Sequence, residues 1–285
     1  MSERTCPVKS PHVAAPARVK GSPQTAPQRT QAVSAHARGL SDPAIRAASL
    51  LAFLLLWQVV AVLAASNSLP APTTVFGRMV EEIASGVLPH HLGITLLRVV
   101  VSFAAAMLVG TLIGIAMGRW RRLDLFLDGW LVLGLNVPAL VTIILCYVWF
   151  GLNDTAAIVA VAINKIPTVI VTVREGARAV DGRLLQVARV YRLSRWRSLT
   201  RVYLPQLYPY LMAAARSGLS LIWKIVLVVE LLGRSNGIGF QLNVFFQFFD
   251  IAGILAYTLV FAGVVLLVEA LLLRPLDRRL ARWRS

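Results

Sequence analysis

Long stretches without a charged residue are the feature of this sequence that most restricts its fold. A mostly apolar stretch of about 18 or more residues has the length of a membrane-spanning helix. The charge pattern predicts six such spans, at Ala47–Ala65, Val99–Gly118, within Gly129–Asn153, Thr155–Val173, about Pro205–Leu232 and Ile251–Val268. Hydrophobic residues make up 57% of the 285 residues and charged residues 15%, which argues against a water-soluble enzyme.

The third predicted span carries a signal for a break. The uncharged run Gly129–Asn153 is longer than one span needs, and it contains Asn136 and Pro138. Proline lacks a backbone donor and disfavours helix at the residue before it. We therefore predict a kinked or broken helix in this span.

The positions of the basic residues predict how the spans are oriented. Most of the 29 Lys and Arg lie before span one, between spans two and three, between four and five, and after six. Lys and Arg near span ends are retained in the cytoplasm, so both termini are expected there. A net charge of +16 could instead indicate nucleic-acid binding, but that function needs a basic face on a folded soluble domain. Here the charges flank apolar spans, and no nucleic-acid partner is expected.

Residues 1–42 differ from the rest of the chain. They are rich in Pro, Ala, Ser and Arg without periodicity, which predicts a disordered cytoplasmic tail before a transmembrane domain at residues 43–285. The two cysteines, Cys6 in the tail and Cys146 in an apolar run, do not indicate a disulfide framework.

The connection between spans four and five, residues 174–204, is called the Arg-rich loop. Its apolar residues fall at helical spacing and predict two short amphipathic helices, with Ser194 as the N-cap of the second. Pro205 suits the first turn of the helix that follows. Such a helix pair can lie on anionic lipid or contact a protein partner, and periodicity does not choose between them.

The Arg-rich loop resembles the cytoplasmic coupling loop of bacterial ABC-transporter permeases. That family's pattern is Glu-Ala-Ala, three residues, Gly, nine residues, Ile, one residue and Leu-Pro. In this register the matching positions are Gln186, Val187, Ala188, Arg192, Val202, Leu204 and Pro205. The family's glycine ends a helix in the left-handed conformation, so Arg192 in its place is expected to cost roughly 1 kcal/mol or more.

The resemblance extends from about Leu69 to Trp283 and is similar to the nitrate, sulfonate and taurine branch of that family. The segments that carry it are Leu69-Pro-Ala-Pro72, His91-Leu92, Arg98, Trp149-Phe150-Gly151, Asp181, Ser194-Arg-Trp196 and Gly237-Ile-Gly239. It implies an all-α polytopic membrane protein with the type I ABC importer permease fold and coupling helices at about residues 183–204.

The resemblance also implies a function in which this chain carries out no chemistry. A permease of this kind imports a small, anionic solute, such as nitrate, a sulfonate or a taurine-like compound, across the bacterial inner membrane by alternating access. Its expected partners are a cytoplasmic ATPase dimer, an extracytoplasmic binding protein, a second permease copy and membrane lipid. ATP and Mg belong to the ATPase, so no cofactor is expected on this chain. Tyr191, Trp196 and Leu199 are predicted to be apolar knobs for the ATPase.

Other motifs indicate what the chain is not. The P-loop pattern for binding nucleotide phosphates is missing from the sequence, so an enzyme with its own nucleotide site is not expected. His90 and His91, with Glu81 and Glu82 nearby, are interpreted as a solvated loop face rather than a metal site. The segment 233–237 is interpreted as a turn outside the membrane.

Four charged residues fall inside predicted spans, where a charge costs several kcal/mol unless it is paired or hydrated. Glu230 could reach the membrane interface or pair with Lys165, and Arg216 is expected to face protein. The candidates for lining an anion pathway are Lys165, Lys224, Arg216, Asn136, Asn164 and Asn243.

Two other functions remain open from the residues alone. A secondary carrier or channel would need an internal inverted repeat or paired intramembrane acids, and neither is evident in the sequence. A membrane scaffold could recruit a cytoplasmic partner through the Arg-rich loop without transporting anything.

Overall fold

The computed structural model describes residues 42–64, 66 and 68–273. The predicted tail, apart from Asp42, lies outside these residues. The chain divides after Ala48 into two units, and every helix after the first belongs to the unit that begins at Ser49.

The described residues form eleven α-helices and two π-helical turns. The α-helices are α1 Asp42–Ala64, α2 Pro72–Ala84, α3 Val87–Arg119, α4 Arg121–Asn136, α5 Ala139–Phe150, α6 Asp154–Arg178, α7 Gly182–Val190, α8 Arg195–Ser198, α9 Leu204–Gly233, α10 Ile238–Gln247 and α11 Ile251–Val268. The π-helical turns are Leu199–Tyr203 and Glu269–Leu273.

Within the described residues, five helices are long and apolar enough to cross a membrane, and the pair α4 and α5 adds a sixth candidate. Three of the five lie in α1, α3 and α6. The fourth joins α11 to the π-helical turn that follows it and ends at Leu271, and the fifth is the helix Arg195–Gly233, which joins α8 to α9. The predicted start of span two at Val99 was too late, because α3 already begins at Val87. Arg98 hid the beginning of α3 from a search for uncharged runs, because a charged residue ends such a run.

The predicted break in the third span is confirmed. Helices α4 and α5 meet at an angle of 99°, and Val137 and Pro138, the two residues between them, are both extended. Proline at this point ends the hydrogen-bond ladder of α4, whose last bond is donated by the Val137 N–H to the Leu133 carbonyl.

The two halves of this bent pair are held at opposite ends of α6. Near the start of α4, Asp124 forms an ion pair with Arg174 at 3.3 Å and another with Arg178, both in the last turns of α6. Helix α5 ends at Phe150, just before α6 begins at Asp154. The two ends of the pair therefore lie near opposite ends of α6, which is about 37 Å long at 1.5 Å per residue.

Three glycines of α3 let it pack closely against α6. Gly110, Gly114 and Gly118 are four residues apart and form one stripe on the helix. A Cβ atom added to them would lie 2.7 Å from the Val169 side chain, 2.9 Å from that of Val173 and 2.4 Å from the Ala177 Cβ, respectively. Lipid tails are as apolar as the side chains, so the hydrophobic effect contributes little to the association of helices inside a membrane. Such helices associate instead through close packing of their backbones.

Candidate functional site

The first helix of the Arg-rich loop, α7, has well-defined caps at both ends. The Asp181 carboxylate accepts a hydrogen bond from the Arg183 N–H at 2.7 Å and caps the N-terminus. At the other end, the Leu193 N–H donates to the Ala188 carbonyl at 3.0 Å and the Arg192 N–H to the Arg189 carbonyl at 2.9 Å. These two bonds form a Schellman motif, which requires its C′ residue to be left-handed.

The C′ residue of this motif is Arg192, and its φ is +50°. The resemblance predicted a left-handed position here, and the structure has one although the residue is not glycine. Since a side chain in this conformation costs about 1–2 kcal/mol, arginine is held here against a local preference for glycine. The strain is confined to the turn, because Ser194 then caps α8 by accepting the Arg197 N–H at 3.3 Å.

The second short helix predicted for this loop is not separate from the span that follows. The α8 helix continues through the π-helical turn Leu199–Tyr203 into α9, so that one helix of 39 residues runs from Arg195 to Gly233. Pro205 lies in the first turn of α9, as predicted. A π-turn adds one residue to a helix without ending it, and periodicity in the sequence does not reveal this.

The apolar residues of the loop divide into an exposed set and a packed set. Tyr191 and Trp196 are 76% and 72% exposed, and Val187 is also exposed. Leu199, predicted to be a third knob, is only partly exposed and packs against the cluster around Val173 and Leu207, so its contact with an ATPase stays a prediction.

The other loop residues that match the family pattern also differ in exposure. Ala188 is buried, Gln186, Arg192 and Pro205 are exposed, and Val202 and Leu204 are intermediate. The pattern therefore combines packing positions with positions available to a partner.

At the opposite end of the helices, the fully buried carboxylate of Glu230 in α9 is surrounded by donors. The Arg98 Nη1 donates to Oε1 at 2.7 Å, while the Thr95 hydroxyl and the Gly239 N–H donate to Oε2, both at 2.9 Å. Arg98, itself 3% exposed, also forms an ion pair with Asp154 at 2.6 Å. We call Glu230, Arg98, Thr95, Asp154 and Asn236 the Glu230 network.

The expected pairing of Glu230 with Lys165 was wrong, because the carboxylate is fully buried and its ionic partner is Arg98. Sequence separation hid this pair, since Arg98 lies 132 residues before Glu230. The segment 233–237 follows α9, and its Asn236 carbonyl accepts from Arg98 at 2.9 Å. That this segment is a turn outside the membrane stays a prediction.

The segment Gly237-Ile-Gly239 has a physical reason for its two glycines. Gly237 has a φ of +108°, and a Cβ there would lie 2.3 Å from the Glu230 carboxyl carbon. A Cβ on Gly239 would lie 2.3 Å from the Leu227 carbonyl oxygen. The chain can fold back onto the carboxylate only where there is no side chain.

The interpretation of His90 and His91 as a solvated loop face was wrong for His91. It lies within α3, is nearly buried, and its Nδ1 accepts the Gly237 N–H at 2.9 Å. In the part of the chain that the structure describes, no group of three or more His, Cys, Asp or Glu residues is placed to hold a metal.

Among the candidate pathway residues, Lys165 of α6 is the one that is buried. It is 2% exposed, and its Nζ has no hydrogen-bond partner among the described residues. Its Cε would lie 3.1 Å from a Cβ added to Gly218 of α9, so it is enclosed between these two helices. Asn164 and Asn136 donate to carbonyls four residues earlier in their own helices, at 2.9 and 2.7 Å.

The remaining candidates on α9 form a stripe. Arg216, Ser220 and Lys224 are spaced four residues apart and all three are exposed on the chain. We call these three residues the α9 stripe. Asn243 of α10 lies apart from it and donates to the Leu231 carbonyl at 3.4 Å.

The amino-acid sequence matches a known protein family. Residues 106–282 match the family described as the binding-protein-dependent transport system inner membrane component. The chain belongs to this family. It is a permease of an ABC importer, situated in the inner membrane, and not an enzyme. A permease of this family works with an ATPase and a solute-binding protein.

Two curated permeases are similar to this permease over most of its length. The putative aliphatic sulfonates transport permease of Bacillus subtilis (strain 168) is 31% identical over 87% of this chain and 88% of its own. The taurine transport system permease of Escherichia coli (strain K12) is 29% identical over 83% and 88%.

A solved structure, titled as a crystal structure of an amino acid ABC transporter with histidines, shares the fold. It has a TM-score of 0.58 and 21% identity, and the match covers 72% of this chain and 98% of that one.

The Glu230 network predicts that removing only one of its charges is costly. Arg98→Gln should lower the free energy of unfolding by about 3–5 kcal/mol, because it leaves a buried carboxylate without its counter-ion. Thermal unfolding in detergent measures this. Arg98→Gln combined with Glu230→Gln should recover more than half of the loss.

The matched control is Arg78→Gln, which removes partly exposed ion pairs with Glu81 and Glu82 and should cost no more than about 1 kcal/mol. An equal loss in the single and double variants would contradict the ion-pair account.

Because Arg192 is in the left-handed conformation, we predict that replacing it with glycine stabilises α7. Arg192→Gly should relieve strain and slow amide hydrogen exchange in α7 about threefold, since part of the gain is offset by the greater freedom of unfolded glycine. Arg189→Gly, three residues earlier inside α7, should do the reverse and speed exchange about fivefold. Exchange that speeds up in both variants would show that Arg192 is not strained.

Proposed function

We propose that this permease forms, with a second copy of itself, the pathway by which a small anion enters the cell. The observation that carries this proposal is the α9 stripe. Arg216 and Lys224 are both exposed on a helix of membrane-spanning length. Charged residues within a membrane span face a bundle interior or a water-filled cavity, because exposure to lipid costs several kcal/mol.

The α9 stripe is exposed on a single chain and is too polar to face lipid. It must therefore be covered by another protein surface or by water. A second copy of the permease, related by a two-fold axis, would present its own stripe to the first and enclose a path between them. The exposed Lys224 of each copy would add positive charge to such a path, which favours an anionic solute. This is the chemistry of the aliphatic sulfonates named for the Bacillus subtilis relative, and taurine also carries a sulfonate group.

Lys165 is proposed to join the pathway in one of the alternating states. Its buried ammonium has no partner among the described residues, a condition that is costly to maintain for structure alone. It lies beside Gly218, two residues from Arg216 along α9. Gly218 lies about 200° round the helix from Arg216, so Lys165 would reach the same path only when α9 rotates or separates from α6. Asn164 and Asn136 would add polar lining.

Six membrane spans with both termini in the cytoplasm are proposed for the transmembrane domain at residues 43–285. The support is the course of the α4–α5 pair, whose ends lie at opposite ends of α6. A pair that runs the length of a spanning helix fits one broken span better than a re-entrant loop. The Arg-rich loop then lies on the same side as the basic segment after α3.

Coupling to the ATPase is proposed for the exposed residues of the Arg-rich loop. Tyr191, Trp196 and Val187 present apolar surface in water, surrounded by arginines. Aromatic and arginine side chains dominate the binding energy of many protein interfaces, and apolar exposure of this kind is costly without a partner. ATP and Mg are proposed to bind only to the ATPase, whose closure would move this loop and drive alternating access.

The coupling proposal is tested by anion uptake into proteoliposomes containing the permease, its ATPase and its binding protein. Trp196→Ala should weaken ATPase assembly and uptake at least about tenfold, since a buried interface tryptophan contributes 2 kcal/mol or more. The matched control is Trp149→Ala, which removes an equally exposed tryptophan at the other end of the helices.

Unchanged assembly in Trp196→Ala would overturn the coupling role. Uptake that continues without ATP would favour a secondary carrier or channel, and assembly with the ATPase but no solute transport would favour a scaffold.

The pathway proposal is tested by neutralising the α9 stripe. Lys224→Met should lower uptake of an aliphatic sulfonate about tenfold or more, the effect of losing one charged contact to the moving anion, while leaving ATPase assembly intact. Lys224→Arg keeps the charge and should retain most of the uptake. Full uptake in Lys224→Met would remove this residue from the pathway.

A further inference from the structure

A cavity of about 680 Å³ lies between the Arg-rich loop and the end of α3. Three arginines line it, Arg119 from the last turn of α3, Arg189 from α7 and Arg195 from α8. Leucine and alanine side chains of the loop form much of the remaining wall. The volume is within the range of pockets that bind small molecules, and far exceeds what one water requires.

The three arginines concentrate positive charge that the described chain does not neutralise. Among the described residues, no carboxylate lies within ion-pair distance of Arg119, Arg189 or Arg195. The nearby acid Asp124 is already paired with Arg174 and Arg178. All three arginines are exposed, so water and salt screen part of their mutual repulsion, and an anion bound between them would lower the rest.

A tyrosine positions one of these charges. Tyr203, which also lines the cavity, is 3% exposed, and the guanidinium of Arg119 lies 5.4 Å from the centre of its ring. This cation–π contact holds the guanidinium at the cavity. The Tyr203 hydroxyl oxygen is itself buried, so this residue contributes its ring, and not a donor, to the cavity.

The cavity differs from the surface proposed to contact the ATPase. Tyr191 and Trp196 do not line it, and Arg119 belongs to a helix of membrane-spanning length. The cavity therefore lies where the Arg-rich loop meets the end of a helix of membrane-spanning length. Arginine guanidinium groups bind phosphate oxygens through paired hydrogen bonds, and basic pockets beside the cytoplasmic ends of membrane helices bind phosphate-bearing headgroups.

We propose that this cavity is a binding site for a phosphate-bearing anion, held by Arg119, Arg189 and Arg195. The phosphate group can come from an anionic phospholipid or from a soluble phosphate. The phosphate oxygens accept hydrogen bonds from the guanidinium groups of three separate segments. The bound anion therefore links the Arg-rich loop to the end of α3. The site is separate from the anion pathway, because its residues lie outside the α9 stripe.

The test measures anion binding to the full-length permease purified with its ATPase and stripped of lipid by detergent exchange. One arm adds phosphatidylglycerol, with phosphatidylcholine as the zwitterionic comparison, and scores bound lipid by native mass spectrometry. The other arm titrates inorganic phosphate in a calorimeter. Tight phosphatidylglycerol binding identifies a lipid site, and tight phosphate binding identifies a soluble ligand.

The decisive variant is Arg189→Gln with Arg195→Gln. It should weaken binding of the preferred probe at least about tenfold, because each charged hydrogen bond contributes on the order of one power of ten. The matched control, Arg183→Gln with Arg197→Gln, removes the same charge from the same two helices but outside the cavity, and all four arginines are exposed. It should weaken binding less than about threefold.

Three results would overturn the proposal. The wild type could bind neither probe more tightly than phosphatidylcholine, or the control pair could lose as much affinity as the cavity pair. The cavity pair could also lose ATPase assembly while keeping anion binding, which would make these arginines a protein contact. Sulfonate uptake is a separate readout, so failure here leaves the pathway proposal unchanged.

Discussion

The structure depends above all on a carboxylate that no water reaches. Glu230 is fully buried, and a buried charge is tolerated only when its counter-ion and donors are all in place. Those partners come from Arg98 and Thr95 in α3 and Gly239 in α10, while Arg98 also connects to Asp154 in α6. A single charge therefore fixes the relative positions of four helices. Losing about 3–5 kcal/mol there would remove a large part of the 5–15 kcal/mol that typically holds a domain folded.

Helices α3 and α6 are held together by different interactions at different points along their length. Near the Glu230 network, α3 and α6 are joined by charge, through Arg98 and Asp154. Farther along, the glycines Gly110, Gly114 and Gly118 bring the two backbones together. Charge pairing is directional and fails when one partner moves, whereas packing of small side chains tolerates slight sliding. This difference fits a permease whose helices must change their relative positions during transport.

The sequence predicted the positions of the helices better than the contacts between them. Uncharged length located the spans, and Pro138 located the bend, because both are properties of a local segment. The left-handed turn at Arg192 followed from the family register alone. The pairing of Arg98 with Glu230 could not be read in this way, since 132 residues separate them and only tertiary packing brings them together. The glycine stripe at 110, 114 and 118 was a local signal that a search for small residues four apart would have found.

The helix from Arg195 to Gly233 runs without a break from the Arg-rich loop to the Glu230 network. Its 39 residues span about 58 Å at 1.5 Å per residue. The π-helical turn and Pro209, where a helix bends most easily, both lie in its first half. If the helix moves as one body, a tilt of about 5° at the loop end displaces the other end by about 5 Å. Such a displacement exceeds the length of a hydrogen bond, so the angle of one helix can decide whether Glu230 keeps its partners. The permease would then need no chain of intermediate contacts to carry a mechanical signal across the membrane.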